Sequence, residues 1–74
     1  MNKTSELIYR KLLAECKKPI NLSQLFLKTE ISYSTISKYA KLFIENNHAK
    51  LVESDRKSAK LIVMTIKGKN YLEK

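Results

Sequence analysis

This chain of 74 residues is long enough for one small domain, and its composition excludes several kinds of protein. A single cysteine and a single histidine exclude a disulfide framework and a cysteine-rich metal site. Fifteen basic and seven acidic residues give a formal net charge of +8, which favours a polyanionic partner such as DNA, RNA or an anionic membrane.

The first predicted helix spans residues 4–16, with Thr4 as its N-cap. Apolar side chains recur along it and define the face that we expect in the core. These residues are Leu7, Ile8, Leu12, Leu13 and Cys16. Cys16 has two interpretations, a small buried apolar residue or one half of a disulfide between subunits. Pro19 cannot continue the helix and marks its end.

Two similar helix starts follow, with Asn21 and Ser32 as their N-caps. Gln24 stands three residues after Asn21, which is the arrangement of a capping box. The pattern predicts a short helix over residues 22–29 and a longer one over residues 33–46. A short helix, a tight turn and a longer helix form the skeleton of a helix-turn-helix.

The longer helix is amphipathic. Ile36, Ala40 and Phe43 fall on one line that we expect to face the core. The residues flanking this line are Tyr39 and Ile44. The opposite side carries hydroxyl and basic side chains, namely Ser34, Ser37, Lys38 and Lys41, with Thr35 and Glu45 at its edges.

After the longer helix the pattern changes to that of a β-hairpin over residues 50–65. Residues typical of strands flank a polar turn at 54–59. Ile62 and Met64 are expected to face the core, because side chains alternate between the two faces of a strand.

A closing helix over residues 66–73 follows the hairpin, with Thr65 as its N-cap. The predicted order is therefore α-α-α-β-β-α. This order predicts an α+β fold, mainly helical, in a single domain over residues 1–74.

Two parts of the sequence resemble the winged helix-turn-helix family, and in particular small archaeal and archaeal-virus transcription regulators. The segment that resembles their second helix and recognition helix includes Leu22, Ser23, Gln24 and Leu25, then Ser34, Thr35, Ile36, Ser37, Lys38 and Tyr39. The segment that resembles the passage from the second wing strand into the closing helix is Met64, Thr65, Ile66, Lys67 and Gly68. The two segments in this order, with a hairpin between them, are more specific than either alone.

The chain departs from the family where members commonly have Asn-Gly-Leu-Ile. The residues here are Asn46, Asn47, His48 and Ala49. Asn tolerates the left-handed conformation that Gly adopts at such a position. His48 is interpreted as a partly buried, hydrogen-bonded structural residue, with a pH switch and a metal ligand as the alternatives.

The resemblance implies that the helix over residues 33–46 enters the major groove of double-stranded DNA, with the wing beside it. The implied DNA-binding residues are Tyr33, Ser34, Thr35, Ser37, Lys38 and Lys41 on the helix, and Arg56 and Lys57 in the wing. A Tyr33 ring packed on the second helix and a solvated wing loop are the alternatives. Four further cations are interpreted as solvated surface, namely Arg10, Lys11, Lys17 and Lys18.

The predicted function is that of a DNA-binding transcription regulator rather than an enzyme. One Gly excludes a glycine-rich phosphate loop, and one His at a core-like position is a poor catalytic base. No cofactor, metal or small-molecule substrate is expected. Two alternatives stay open: an architectural DNA-binding protein of the nucleoid with little sequence preference, and a winged-helix adaptor that binds another protein.

A homodimer is expected, because so small a domain is marginally stable alone; a monomer with a well-packed core is the alternative. The candidate contacts are the first helix, the closing helix and the outward-facing Leu61 and Val63.

The apolar run at residues 61–64 is far shorter than the ~20 residues of a membrane-spanning helix, and no secretory signal is evident. We therefore expect the protein in the cytoplasm, associated with the nucleoid, or in the cytoplasm of a host cell if the protein is viral.

Overall fold

The computed structural model describes residues 3–53 and 60–74, which form four α-helices and one two-stranded antiparallel sheet. The helices are α1 (Lys3–Ala14), α2 (Leu22–Thr29), α3 (Tyr33–Glu45) and α4 (Ile66–Glu73), and the strands are β1 (Ala49–Glu53) and β2 (Lys60–Met64). A single 3-10 turn, Glu15–Lys17, follows α1. The order of helices and strands is α-α-α-β-β-α, which confirms the predicted fold class.

Three helices begin at the predicted caps. The Asn21 side chain accepts a hydrogen bond from the backbone N–H of Gln24 at 2.8 Å, and Gln24 Oε1 accepts one from the backbone N–H of Asn21 at 3.1 Å. The hydroxyls of Ser32 and Thr65 each accept from the backbone N–H three residues further on, at 3.4 and 3.1 Å. These bonds satisfy donors that the first turn of a helix leaves unpaired.

The first helix differs from its prediction at both ends. Thr4 lies inside α1, so its assignment as the N-cap is wrong. The helix ends at Ala14 rather than at Cys16, whose backbone leaves helical geometry at φ −92° and ψ 17°. The Cys16 thiol donates to the carbonyl of Leu12 at 3.4 Å, which accompanies the tighter turn.

The assignment of Leu7 to the core is also wrong, because its side chain is 69% exposed. Tyr9 is buried instead, at 1% exposure. At ~100° per residue, Tyr9, Leu12 and Cys16 lie on one stripe, and Leu7 falls on almost the opposite side of the helix. The first helix therefore leaves an apolar side chain in solvent.

The strands pair in a register that places Leu51 opposite Ile62. Ile62 is buried and Met64 is half-buried. Ile20 adds a single bridge to the other edge of β2: its N–H donates to the Ile62 carbonyl at 3.0 Å, and the Ile62 N–H donates back at 2.8 Å. This bridge, which the sequence pattern did not indicate, ties the segment before α2 to the hairpin.

The core lies between α1, α3 and the hairpin. Its buried members include Tyr9, Leu12 and Leu13 of α1, Leu25 of α2, Ile36, Tyr39 and Phe43 of α3, and Ile62 of β2. No helix in the described part of the chain combines the length and the apolarity needed to cross a bilayer.

Candidate nucleic-acid interface

The packing of α3 against the core fixes which of its sides faces solvent. Ile36 and Phe43 are each 1% exposed, and Tyr39 lies beside them in the core. The ring of Tyr9 meets Tyr39 and Phe43 edge-on, with centroids 6.3 and 4.7 Å apart. Ile44, which the pattern placed beside the buried line, is 39% exposed and lies at the margin of the solvent side.

A polar stripe runs along the solvent side of α3. Ser34, Lys38 and Lys41 are exposed, and Ser37 is half-buried beside them. Their spacing of three and four residues brings these side chains onto one face of the helix. Neither lysine forms an ion pair within residues 3–53 and 60–74, so both ammonium groups are accessible to an external anion.

Hydroxyl groups cluster at the N-terminal end of this stripe. Ser32 Oγ donates to Thr35 Oγ1 at 2.8 Å and lies 3.5 Å from Ser34 Oγ. Thr35 is half-buried, and its hydroxyl retains a hydrogen to donate outward. The sequence pattern predicts Ser32 only as a cap, although the run of hydroxyl residues around it is visible in the sequence.

Tyr33 stands at the first position of α3 with 53% of its surface exposed. About half of this residue is therefore open to solvent at the start of α3. The predicted wing residues Arg56 and Lys57 lie outside the residues that the structure describes.

A hydrogen-bonded junction holds the other end of α3. Asn46 Nδ2 donates to the Tyr9 hydroxyl at 3.1 Å, and that hydroxyl lies 2.6 Å from Nδ1 of His48. Tyr9 accepts from Asn46, and we assign its own hydrogen to the bond with Nδ1 of His48, which places the hydrogen of the neutral ring on Nε2. The His48 ring stacks on Tyr71 of α4 with centroids 4.5 Å apart.

The environment of this junction favours uncharged groups. Burial lowers the pKa of His48, and the nearby positive charge of Lys67 lowers it further. Burial raises the pKa of Tyr9, which also favours its neutral form, and the hydrogen bond from Asn46 opposes this shift. These contacts agree with the structural interpretation of His48.

Further backbone contacts fix the hairpin relative to α3. Asn47 adopts the left-handed conformation, at φ 60°, as predicted. Its carbonyl accepts a hydrogen bond from the Thr65 hydroxyl at 2.6 Å, and the His48 carbonyl accepts one from the Thr65 N–H at 2.9 Å. Hydrogen bonds therefore join the end of α3, the residue before β1 and the start of α4 at one corner.

Comparison with solved structures gives the same architecture. Two crystal structures of the heme sensor protein PefR, one with heme and carbon monoxide and the other from Streptococcus agalactiae with heme, match this chain with TM-scores of 0.69 and 0.68. The fold is a winged helix. Sequence identities are 21% and 22% over 93% and 92% of this chain, which spans 48% and 47% of the PefR chains.

The sequence itself matches no protein-family model and no curated protein. The likeness to PefR concerns the winged-helix fold alone. The resemblance to archaeal and archaeal-virus regulators stays a prediction.

Proposed function

We propose that this winged-helix chain binds double-stranded DNA through the solvent side of α3 and regulates transcription. The observation that carries the proposal is the stripe of Ser34, Ser37, Lys38 and Lys41, which is free of ion pairs to the described residues and lies opposite the buried side of α3. An α-helix fits the major groove of B-DNA, which is ~12 Å wide.

The residues of the stripe suit different parts of the duplex. The amino groups of Lys38 and Lys41 neutralise phosphates or donate to guanine acceptors. The hydroxyls at the start of α3 lie beside unpaired backbone N–H groups, and the positive end of a helix dipole favours a phosphate there. Tyr33 adds a phenolic hydroxyl at the same end.

The wing is the second contact that we propose. Arg56 and Lys57 would bind phosphates or enter the minor groove beside the segment that α3 occupies. Site-directed substitution of these two residues would test the contact directly, since loss of affinity without loss of sequence preference is expected of phosphate binding.

One observation favours an architectural protein as the second candidate. The solvent side of α3 contains no Arg, Asn or Gln, which are the side chains that read bases by two parallel hydrogen bonds. Affinity would then come chiefly from phosphate contacts and DNA shape, with little sequence preference.

A homodimer would place two α3 helices about 34 Å apart, one turn of the duplex, and would bind a pseudo-palindromic site. Leu61 and Val63 of β2 are half-buried in the single chain and are the apolar contacts that we favour. Sedimentation of the free protein tests this: a species of 8.6 kDa alone would exclude a dimer before DNA binding.

We do not extend the heme binding of the two PefR structures to this chain. His48 accepts the Tyr9 hydrogen through Nδ1. Coordination of iron through Nε2 would move the ring hydrogen to Nδ1 and leave the Tyr9 hydrogen without its acceptor. The thiol of Cys16 is fully buried.

The experiment is a fluorescence-anisotropy titration on the DNA upstream of the protein's own gene and on a random duplex of equal length, at several salt concentrations. A regulator should prefer its own site by ~10³ or more and keep a specific component at high salt. Equal affinities with equal salt slopes would favour the architectural candidate. Absence of binding at low salt would contradict DNA binding and favour an adaptor.

A further inference from the structure

A groove lies between α1 and α4, on a side of the molecule that the DNA-binding proposal does not use. It has a volume of about 860 Å³, within the range of ~300–1,000 Å³ usual for small-molecule sites. Its apolar lining consists of Ala14, Met64, Ile66 and Leu72. Ile66 is 80% exposed, so part of this lining is open to solvent.

The rim of the groove is strongly basic. Arg10, Lys11, Lys17 and Lys69 line it, together with a single carboxylate, Glu73. Arg10 is held in place, with Glu6 at 3.4 Å and the Tyr71 ring 4.7 Å beneath its guanidinium. The three lysines form no ion pair within residues 3–53 and 60–74.

The groove faces away from the stripe on α3. Along α1, Tyr9, Leu12 and Cys16 face the core, whereas Lys11 and Ala14 lie on almost the opposite side at ~100° per residue. Because α3 packs against the core side of α1, a duplex bound along α3 would not reach the groove. The cations of the groove, which the sequence pattern alone places at a solvated surface, are therefore free to bind a ligand other than that duplex.

We propose that this groove binds an amphipathic organic anion of small-molecule size, such as an aliphatic or aromatic carboxylate or sulfonate. The apolar lining takes the body of the ligand, and the lysines bind its charged group. A second copy of the chain fits less well, because a two-fold interface places the same basic surface against itself. The inference does not depend on DNA binding.

The test uses the dye anilinonaphthalene sulfonate, which is apolar and anionic and fluoresces on leaving water. The full chain should bind one dye per chain with a dissociation constant of tens of micromolar, as about 0.3 kcal/mol per ligand atom implies. Amide chemical shifts should change in α1 and α4. Inorganic phosphate, which has the charge without the apolar body, should compete poorly.

Two double variants with the same change in net charge distinguish dye binding in the groove from a general effect of net charge on dye binding. Lys11→Glu with Lys69→Glu should weaken dye binding by about 10-fold or more, because exposed charge pairs are each worth up to ~1 kcal/mol. Lys38→Glu with Lys41→Glu, on the other side of the molecule, should change it by less than about twofold. Ala14→Trp, which leaves the charge unchanged and fills the groove, should also abolish binding while circular dichroism shows a folded protein.

Several results would overturn the proposal. These are absence of saturable binding, equal weakening by the two double variants, amide shifts confined to α3, and retention of dye by the Ala14→Trp protein. Sedimentation could also overturn the proposal. A dimer that excludes the dye and dissociates in the Ala14→Trp variant would show that the groove is an interface between copies. Displacement of the dye by a short DNA duplex would instead assign the groove to the DNA-binding surface.

Discussion

His48 connects three parts of the molecule through one side chain. Its ring nitrogen accepts from Tyr9 of α1, its ring face stacks on Tyr71 of α4, and its backbone lies between α3 and β1. Only the neutral ring accepts the Tyr9 hydrogen, so the junction depends on the protonation state of His48.

The lowered pKa of His48 predicts the sign of a pH effect on stability. Because the folded pKa lies below the unfolded value of about 6.5, the stabilisation is complete above pH ~6.5 and is lost as the pH falls below it. Thermal unfolding between pH 7.5 and 5.5 should show a larger decrease in Tm for the wild type than for His48→Gln. Parallel pH profiles for the two proteins would contradict this role.

Gly68 is required because a neighbouring backbone leaves no room for a side chain. A Cβ at this position would overlap the carbonyl oxygen of His48 and approach Met64 Cγ to 2.8 Å. Although Ala favours helix more than Gly, we expect Gly68→Ala to lower the free energy of unfolding by about 1–3 kcal/mol, as overpacking does. Asn70→Ala, an exposed change in the same helix, is the control and should be neutral or stabilising in the same denaturation experiment.

Cys16 is chemically protected in the folded state. Its thiol is fully buried, and burial, with a contribution from Glu15, raises its pKa to about 12. The burial of the thiol therefore favours the interpretation of Cys16 as a small buried apolar residue over a disulfide between subunits. A thiol reagent such as Ellman's should react with the native protein at a small fraction of the rate in guanidinium. Equal rates would show that the site opens freely.

At the scale of the elements, the parts that local chemistry specifies were predicted well. Asn21, Ser32 and Thr65 cap helices because a side-chain oxygen meets an N–H three residues further on, and this spacing is visible in the sequence. The spacing of Ile36, Ala40 and Phe43, four and then three residues apart, likewise predicted which side of α3 is buried.

The features that the sequence did not indicate depend on contacts between distant segments. Ile20 pairs with Ile62 through backbone atoms alone, so no side-chain pattern marks the bridge. Leu7 is apolar but lies on the solvent side of α1, whereas Tyr9 is buried although it carries a polar hydroxyl, so residue type alone misleads at both positions. The groove between α1 and α4 requires the relative position of two helices that a hairpin separates in sequence.

The short helix α2 gives a direct test of its capping box. Asn21→Ala removes the acceptor for the Gln24 N–H and should lower the free energy of unfolding by about 1 kcal/mol. That loss corresponds to a decrease in Tm of roughly 4–8 °C for a domain of this size. Ser23→Ala, an exposed change two residues later in the same turn, should alter stability by less than ~0.5 kcal/mol. Equal effects of the two changes would refute the cap.

At the scale of the whole molecule, two groups of basic residues lie on opposite sides. One side is the hydroxyl and lysine stripe of α3, and the other is the basic groove between α1 and α4. The core that joins α1 to α3 separates them. We therefore expect a bound duplex and a bound organic anion to occupy different surfaces of the same chain.

The measurement that tests the central claim most directly compares DNA affinities of the two charge-reversed variants by fluorescence anisotropy. The first variant combines Lys38→Glu with Lys41→Glu, and the second combines Lys11→Glu with Lys69→Glu. Both variants change the net charge by the same amount, so long-range electrostatics affects the two in the same way. Binding through α3 predicts a loss of affinity of about 100-fold or more for the first variant, together with a shallower salt dependence, and a much smaller loss for the second. Equal losses, or a larger loss for the second variant, would contradict the assignment of α3 as the DNA-binding surface.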